Sequence, residues 1–136
     1  MSDFLDVDVL KSAIVLVKEA LGDVWVADHL PHADQLEDSL PAVVLDVLPG
    51  EEQQGWGGQS GEQFLDLIPL DVEVLARSRA EATPIAARVR QLLHQLPFIE
   101  GTGVKTVDCP RFSTREDINP QIRVLGAVAE VTASPH

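Results

Sequence analysis

Positive charge is scarce in this chain. Of 136 residues only ten are lysine or arginine, against 22 aspartates and glutamates, for a net charge of −12. A surface with that balance repels phosphate, which argues against nucleic-acid binding driven by counterion release and against docking on anionic lipid. Cysteine is scarcer still. Cys109 stands alone, which rules out an internal disulfide and any cysteine-based zinc site. Basic residues are missing from the opening MSDFLDVDVL, where an export signal requires them, so no export is expected. Apolar runs are short: residues 13–17 and 42–45 fall far below the ~20 residues needed to cross a bilayer.

What is present suits a folded domain. Hydrophobic residues make up 45% and charged residues 24% of the chain, well outside the composition of disordered segments. The length is one domain's worth, so a single domain over 1–136 is expected. Charge is unevenly placed. Residues 1–60 hold two bases, Lys11 and Lys18, and 12 acids; residues 61–136 hold eight bases and ten acids. One side of the molecule is therefore expected to be the more acidic, either as a solvating surface or as a contact surface of one sign.

Residues 4–21 have helical periodicity, with Val7, Leu10, Ile14, Val17 and Leu21 recurring at three- and four-residue steps. Asp3, Asp6 and Asp8 lie near the start, where the helix dipole favours negative charge, and Gly22 follows as a cap. A short strand is expected at 24–27. Residues 28–41, polar with two prolines, read as a loop. AVVLDVL at 42–48 suits a strand covered on both faces. GEEQQGWGGQSG at 50–61 has five glycines and no lysine and reads as a long loop between strands, of a size that is often functional.

QFLDLIPLDVEVLA at 63–76 alternates as a second strand, with Ile68, Leu70, Val72 and Val74 on one face and Asp71 and Glu73 on the other. Pro69 has no N–H to give a ladder, which implies an edge position or a bulge. Residues 79–96 read as a second helix. Ser78 and Glu81 fit a capping box, and Ile85, Val89, Leu92, Leu93 and Leu96 form its buried stripe. Pro84 either sits in a distorted first turn of this helix or begins a shorter one capped by Thr83; Pro97 ends it in both cases. Strands at 104–108 and 121–132, the latter containing Gly126, complete the pattern. Helices do not alternate regularly with strands, so the fold class is α+β: a single mixed or antiparallel sheet with two helices packed on one face. Val43, Leu45, Val72, Val74, Val124 and Val128 are the expected inner layer of that sheet.

Reactive side chains form no recognisable constellation. His29 and His32, flanked by Asp28 and Asp34, are of metal-ligand type, but in a loop their spacing carries no geometry, and solvated residues are expected. His94 and Cys109 read as structural, since the thiol has no base beside it in sequence. The glycine-rich loop lacks GxxxxGK[ST] and carries Glu51 and Glu52 where a phosphate cradle needs a cation. Hydrolase, kinase and zinc-peptidase patterns are missing. The expectation is a protein without catalytic residues, cofactor or metal. Trp56, set among glycines, is either an anchor in a protein–protein contact or folds back on its own domain. The candidate interface residues are Gly50, Glu51, Glu52, Trp56, Gly57, Gly58 and Gly61.

Taken together, PAVVLDVLPG, the glycine-rich excursion, LDVEVLA, SRAEATPIAARVRQLL and the closing NPQIRVLGAVAEVTA resemble the tail terminator proteins of long-tailed (siphovirus) bacteriophages and related minor tail or head–tail joining proteins. The resemblance spans about residues 7–132; Pro84 departs from it at the second helix. It implies an α+β subunit assembling as a homo-hexameric ring. Such a ring caps the tail tube protein, ends its polymerisation and presents its other surface to a head-completion or neck protein. DNA passes through the centre without specific binding. It also implies assembly in the host cytoplasm, residence in the virion, no membrane, and no catalytic or cofactor residues. Six copies at −12 each total −72, which suits an acidic conduit along which DNA slides. The rival readings are another neck or connector protein, a small enzyme using His29 and His32, and a free-standing acidic binding module.

Overall fold

The computed structural model describes residues 2–48, 66–117 and 120–134, with side chains from residue 8 onward. Helix α1 (Ser2–Leu21) leads through Gly22 to strand β1 (Trp25–Ala27), then β2 (Ala42–Val47), β3 (Asp66–Ala76), helix α2 (Arg79–Leu93), β4 (Val104–Asp108), the short β5 (Ser113–Thr114) and β6 (Arg123–Ala133). One sheet runs in the order β1-β2-β3-β6-β4, with β5 also paired to β6. β1 and β2 are parallel; every other pair is antiparallel. α1 packs on β1, β2 and β3, α2 on β3 and β6, and the helices touch each other. This is an α+β fold with both helices on one face of a mixed sheet, as the residue pattern predicts.

Register explains which residues make the core. Val43 lies opposite Val74 and Leu45 opposite Val72; Val72 lies opposite Ala127 and Leu70 opposite Ala129. Directly opposed residues share a face, so these side chains form one buried layer under the helices. Val124 and Val128 correct the sequence expectation. They alternate with Leu125, Ala127 and Ala129 and so project from the far face. β6 is apolar on both faces over this stretch, which leaves its parity open until the pairing with β3 sets it.

The buried stripe of α1 is Val9, Ala13 and Val17, at four-residue steps, with Leu10, Ile14 and Leu21 half-buried beside it. It is rotated from the expected line, since Val9 and Ala13 replace Leu10 and Ile14 at the centre. Both rows are apolar, and the contact with the sheet selects between them. The side chains of Asp3, Asp6 and Val7 lie outside the described residues.

α2 begins as expected. Ser78 Oγ accepts from the Glu81 amide at 3.1 Å, and Glu81 Oε1 accepts from the Arg77 amide at 3.1 Å. The first contact caps an amide that the helix start would otherwise orphan; the Glu81 carboxylate reaches one residue beyond the expected box, to Arg77 and not to Ser78, and the helix continues through Pro84. It ends at Leu93, earlier than expected, and a 3-10 turn at Leu96–Phe98 takes up Pro97. Leu96 is buried in that turn.

Pro69 lies in a central strand, opposite Glu130 of β6, and not at an edge or bulge. Its carbonyl accepts from the Leu48 amide at 3.0 Å. In an antiparallel strand the N and C=O of one residue face the same neighbour. The proline nitrogen therefore faces β2 at Leu48, just past the last ladder pair, Val47 with Leu70, so the one bond it cannot give is the return bond to the Leu48 carbonyl, at the end of the ladder where β2 stops.

Residues 28–41 do more than connect. They lay Leu36 and Leu40 on the far face of the sheet, forming a second small core with Ala42, Leu75, Ile122 and Val124. Arg77 ties the segment down, donating from Nη1 to the Leu40 carbonyl at 3.3 Å and from Nη2 to the Glu37 carbonyl at 2.7 Å.

Candidate functional site

Past the second core, the far face of the sheet has no covering layer among the described residues. Strand alternation places Asp46, Asp71, Glu73, Asp108 and Glu130 there, and the register makes neighbours of Asp46 and Asp71 and of Asp108 and Glu130. Like charges on adjacent strands destabilise a sheet unless a cation intervenes. Arg115 is that cation. Its Nη1 lies 2.8 Å from Asp71 Oδ1 and 3.1 Å from Glu73 Oε2. Partial burial works against its charge, but the hydrogen bonds to Asp71 and Glu73 outweigh this and raise its pKa above the ordinary arginine value.

Local structure aims this side chain. β5 pairs Ser113 with Gly126 and Thr114 with Leu125, and the Arg115 amide donates to the Val124 carbonyl at 2.9 Å. The guanidinium then crosses β6 at Gly126, where a Cβ would overlap it. Glu73 lies directly opposite Gly126 in β3, so the crossing delivers the cation to it. Asp117 holds the returning chain, accepting from Arg123 Nη1 at 2.9 Å and from the Val124 amide at 3.3 Å. The unexplained glycine inside an otherwise apolar strand was the sequence signal for this close approach; its partner, 11 positions earlier in a polar connection, carried none. The result is an acidic sheet face on which Arg115 holds Asp71 and Glu73 in place.

The seven candidate interface residues, Gly50, Glu51, Glu52, Trp56, Gly57, Gly58 and Gly61, lie outside the described residues. His29 pairs with Asp28, Nδ1 to Oδ1 at 2.8 Å, and both are exposed. The hydrogen bond from His29 lowers the Asp28 pKa. The Trp25 and His29 rings meet edge-on at 5.9 Å. Among the described residues no group of three or more His, Cys, Asp and Glu side chains comes together in a form that holds a metal.

Cys109 is buried, and burial pushes its thiol up to about 11. Its neighbours give it a structural setting. Arg90 Nε donates to the Cys109 carbonyl at 2.8 Å. The Cys109 amide donates to His94 Nε2 at 3.4 Å, while His94 Nδ1 lies 2.9 Å from the Arg90 carbonyl. An acceptor Nε2 places the ring proton on Nδ1, where it donates to that carbonyl. The set ties the end of β4 to the last turn of α2. No helix among the described residues is long and apolar enough to cross a membrane.

No family model matches the chain, and no curated protein does. Among solved structures the chain is similar in fold to a chain from the virion of a native gene transfer agent (GTA) particle. The TM-score is 0.57 at 16% sequence identity, over 96% of this chain and 92% of that one. The likeness therefore takes in the whole two-helix, one-sheet arrangement and not a shared fragment.

Proposed function

We propose that this chain is a structural protein of a phage-like virion, folded as a single domain over 1–136, and that it acts as a tail terminator. In this reading copies close into a hexameric ring that caps the tail tube, stops its polymerisation and meets a neck or head-completion protein on the other rim. DNA passes through the centre unbound, and no bond-making is performed. The observation that carries the reading is the likeness in fold, over nearly the full length of both chains, to a component of a GTA virion. The motif resemblance from PAVVLDVLPG to NPQIRVLGAVAEVTA supports it, as does a sheet face on which Asp46, Asp71, Glu73, Asp108 and Glu130 outnumber Arg115 in a chain of net charge −12. Within the ring, the glycine-rich segment with Gly50, Glu51, Glu52, Trp56, Gly57, Gly58 and Gly61 reaches the neighbouring copy.

Light scattering and negative-stain microscopy of the purified protein test this. A ring that binds purified tail tubes is the expected result. A ring that binds filled heads and not tubes reassigns the chain to the neck, and a monomer at high concentration rejects the assembly reading. Deleting residues 51–60 tests the loop: an unaltered ring removes it from the interface.

A further inference from the structure

The two edges of the sheet carry features that fit one another. Phe98 is 86% exposed and Ile99 beside it 39%, on the turn between α2 and β4. The turn is firmly held. Leu96 is buried, the Thr102 hydroxyl is shared between the Leu96 and Ile99 carbonyls at 3.2 and 3.1 Å, and the Val104 amide donates to the same hydroxyl at 3.2 Å. A phenyl ring in water on a fixed turn loses little entropy when it is buried in a contact. At the opposite edge, α1 and β1 leave an apolar groove of about 340 Å³, lined by Leu10, Ile14, Val15 and Val26, with Lys11 and Asp28 at its margin. Val15 is 45% exposed there.

We infer that Phe98 and Ile99 of one copy seat in the α1–β1 groove of the next. Three observations favour a second copy as the occupant. The groove has room for a phenyl ring and an aliphatic neighbour. Its rim carries Lys11 and Asp28, the latter shared with His29, and the knob's side of the fold carries exposed residues of opposite charge, Glu100 next to Ile99 and Lys105 in β4. Knob and groove lie on opposite edges of one sheet, at β4 and β1, so each copy uses both at once. Such a head-to-tail contact is heterologous and closes into a ring when the rotation allows. The inference rests on the ring reading above and names the contact that builds it.

The test uses Phe98→Asp and Val15→Asp, both at exposed positions, with circular dichroism confirming the fold. Phe98→Ser and Val15→Ser replace either variant that loses its spectrum. Sedimentation velocity is expected to show an oligomeric wild type and two monomeric variants. A 1:1 mixture of the variants is expected to give a heterodimer and nothing larger, because it contains one intact knob and one intact groove. A wild-type oligomer whose mass survives either substitution, or a mixture that stays monomeric, overturns this contact and leaves the ring standing. A monomeric wild type overturns both.

Discussion

Arg115 and the missing side chain of Gly126 compete for one volume: the guanidinium passes over the strand where a Cβ at position 126 would stand. From there it reaches Asp71 and Glu73 and makes an acidic sheet face compatible with adjacent carboxylates. The relationship has a sign that can be measured. In wild type, Gly126→Ala displaces the guanidinium and is expected to lower stability by about 1 kcal/mol, the scale of a partly exposed ion pair. In an Arg115→Ala background the collision is gone, and the same substitution is expected to stabilise by about 0.5–1 kcal/mol, since alanine loses less backbone entropy on folding than glycine. Urea unfolding of the four proteins reads the coupling; equal effects in both backgrounds would contradict it.

Cys109 predicts an alkaline limit. Its thiol is held near 11 in the folded chain against an ordinary value of 9.0. The folded state keeps the proton where the unfolded state releases it, so this contribution is fully present below pH 9 and is lost as pH rises toward 11. Unfolding measured between pH 8 and 11 is expected to show that decline, and Cys109→Ala to flatten it. Thiol reagents at pH 8 should label the native protein slowly and the urea-unfolded protein at once.

Arg77 holds residues 28–41 through the carbonyls of Glu37 and Leu40. Arg77→Ala should leave the main core intact while loosening this flap. Faster amide exchange and faster proteolysis within 28–41, with β3 and β6 amides still protected, is the expected pattern. Uniform loss of protection would show that the second core is not a separable unit.

Two positions in α2 act in opposite directions. Ser78→Ala removes the acceptor for the Glu81 amide and is expected to cost about 1 kcal/mol. Pro84→Ala restores an amide to a helix that already runs through this position and is expected to gain about 1–3 kcal/mol. Thermal unfolding of each variant checks the pair; a destabilising Pro84→Ala would mean that the proline has a packing role.

Local chemistry was readable in the residues alone. The Ser78 cap, the two helices and the five longer strands in order follow from interactions within a few positions, and those are the same in a peptide as in a fold; the end of α2 at Leu93, short of Pro97, does not. The α+β class followed from that order. The seven interface residues around Trp56 rest on composition, and they lie outside the described residues.

The assignment of faces was different. Val124 and Val128 were expected inward, and only the pairing of β6 with β3 turned Leu125, Ala127 and Ala129 to the helices. Pro69 looked like an edge residue because its sequence neighbours do not reveal that β2 stops beside it. Arg115 and Glu73 stand 42 positions apart, and nothing local at either one announces the other. Period and capping are short-range properties of a chain. Parity, register and the meeting of distant charges depend on which strand comes to lie beside which, and that is settled by burying the largest apolar area at once.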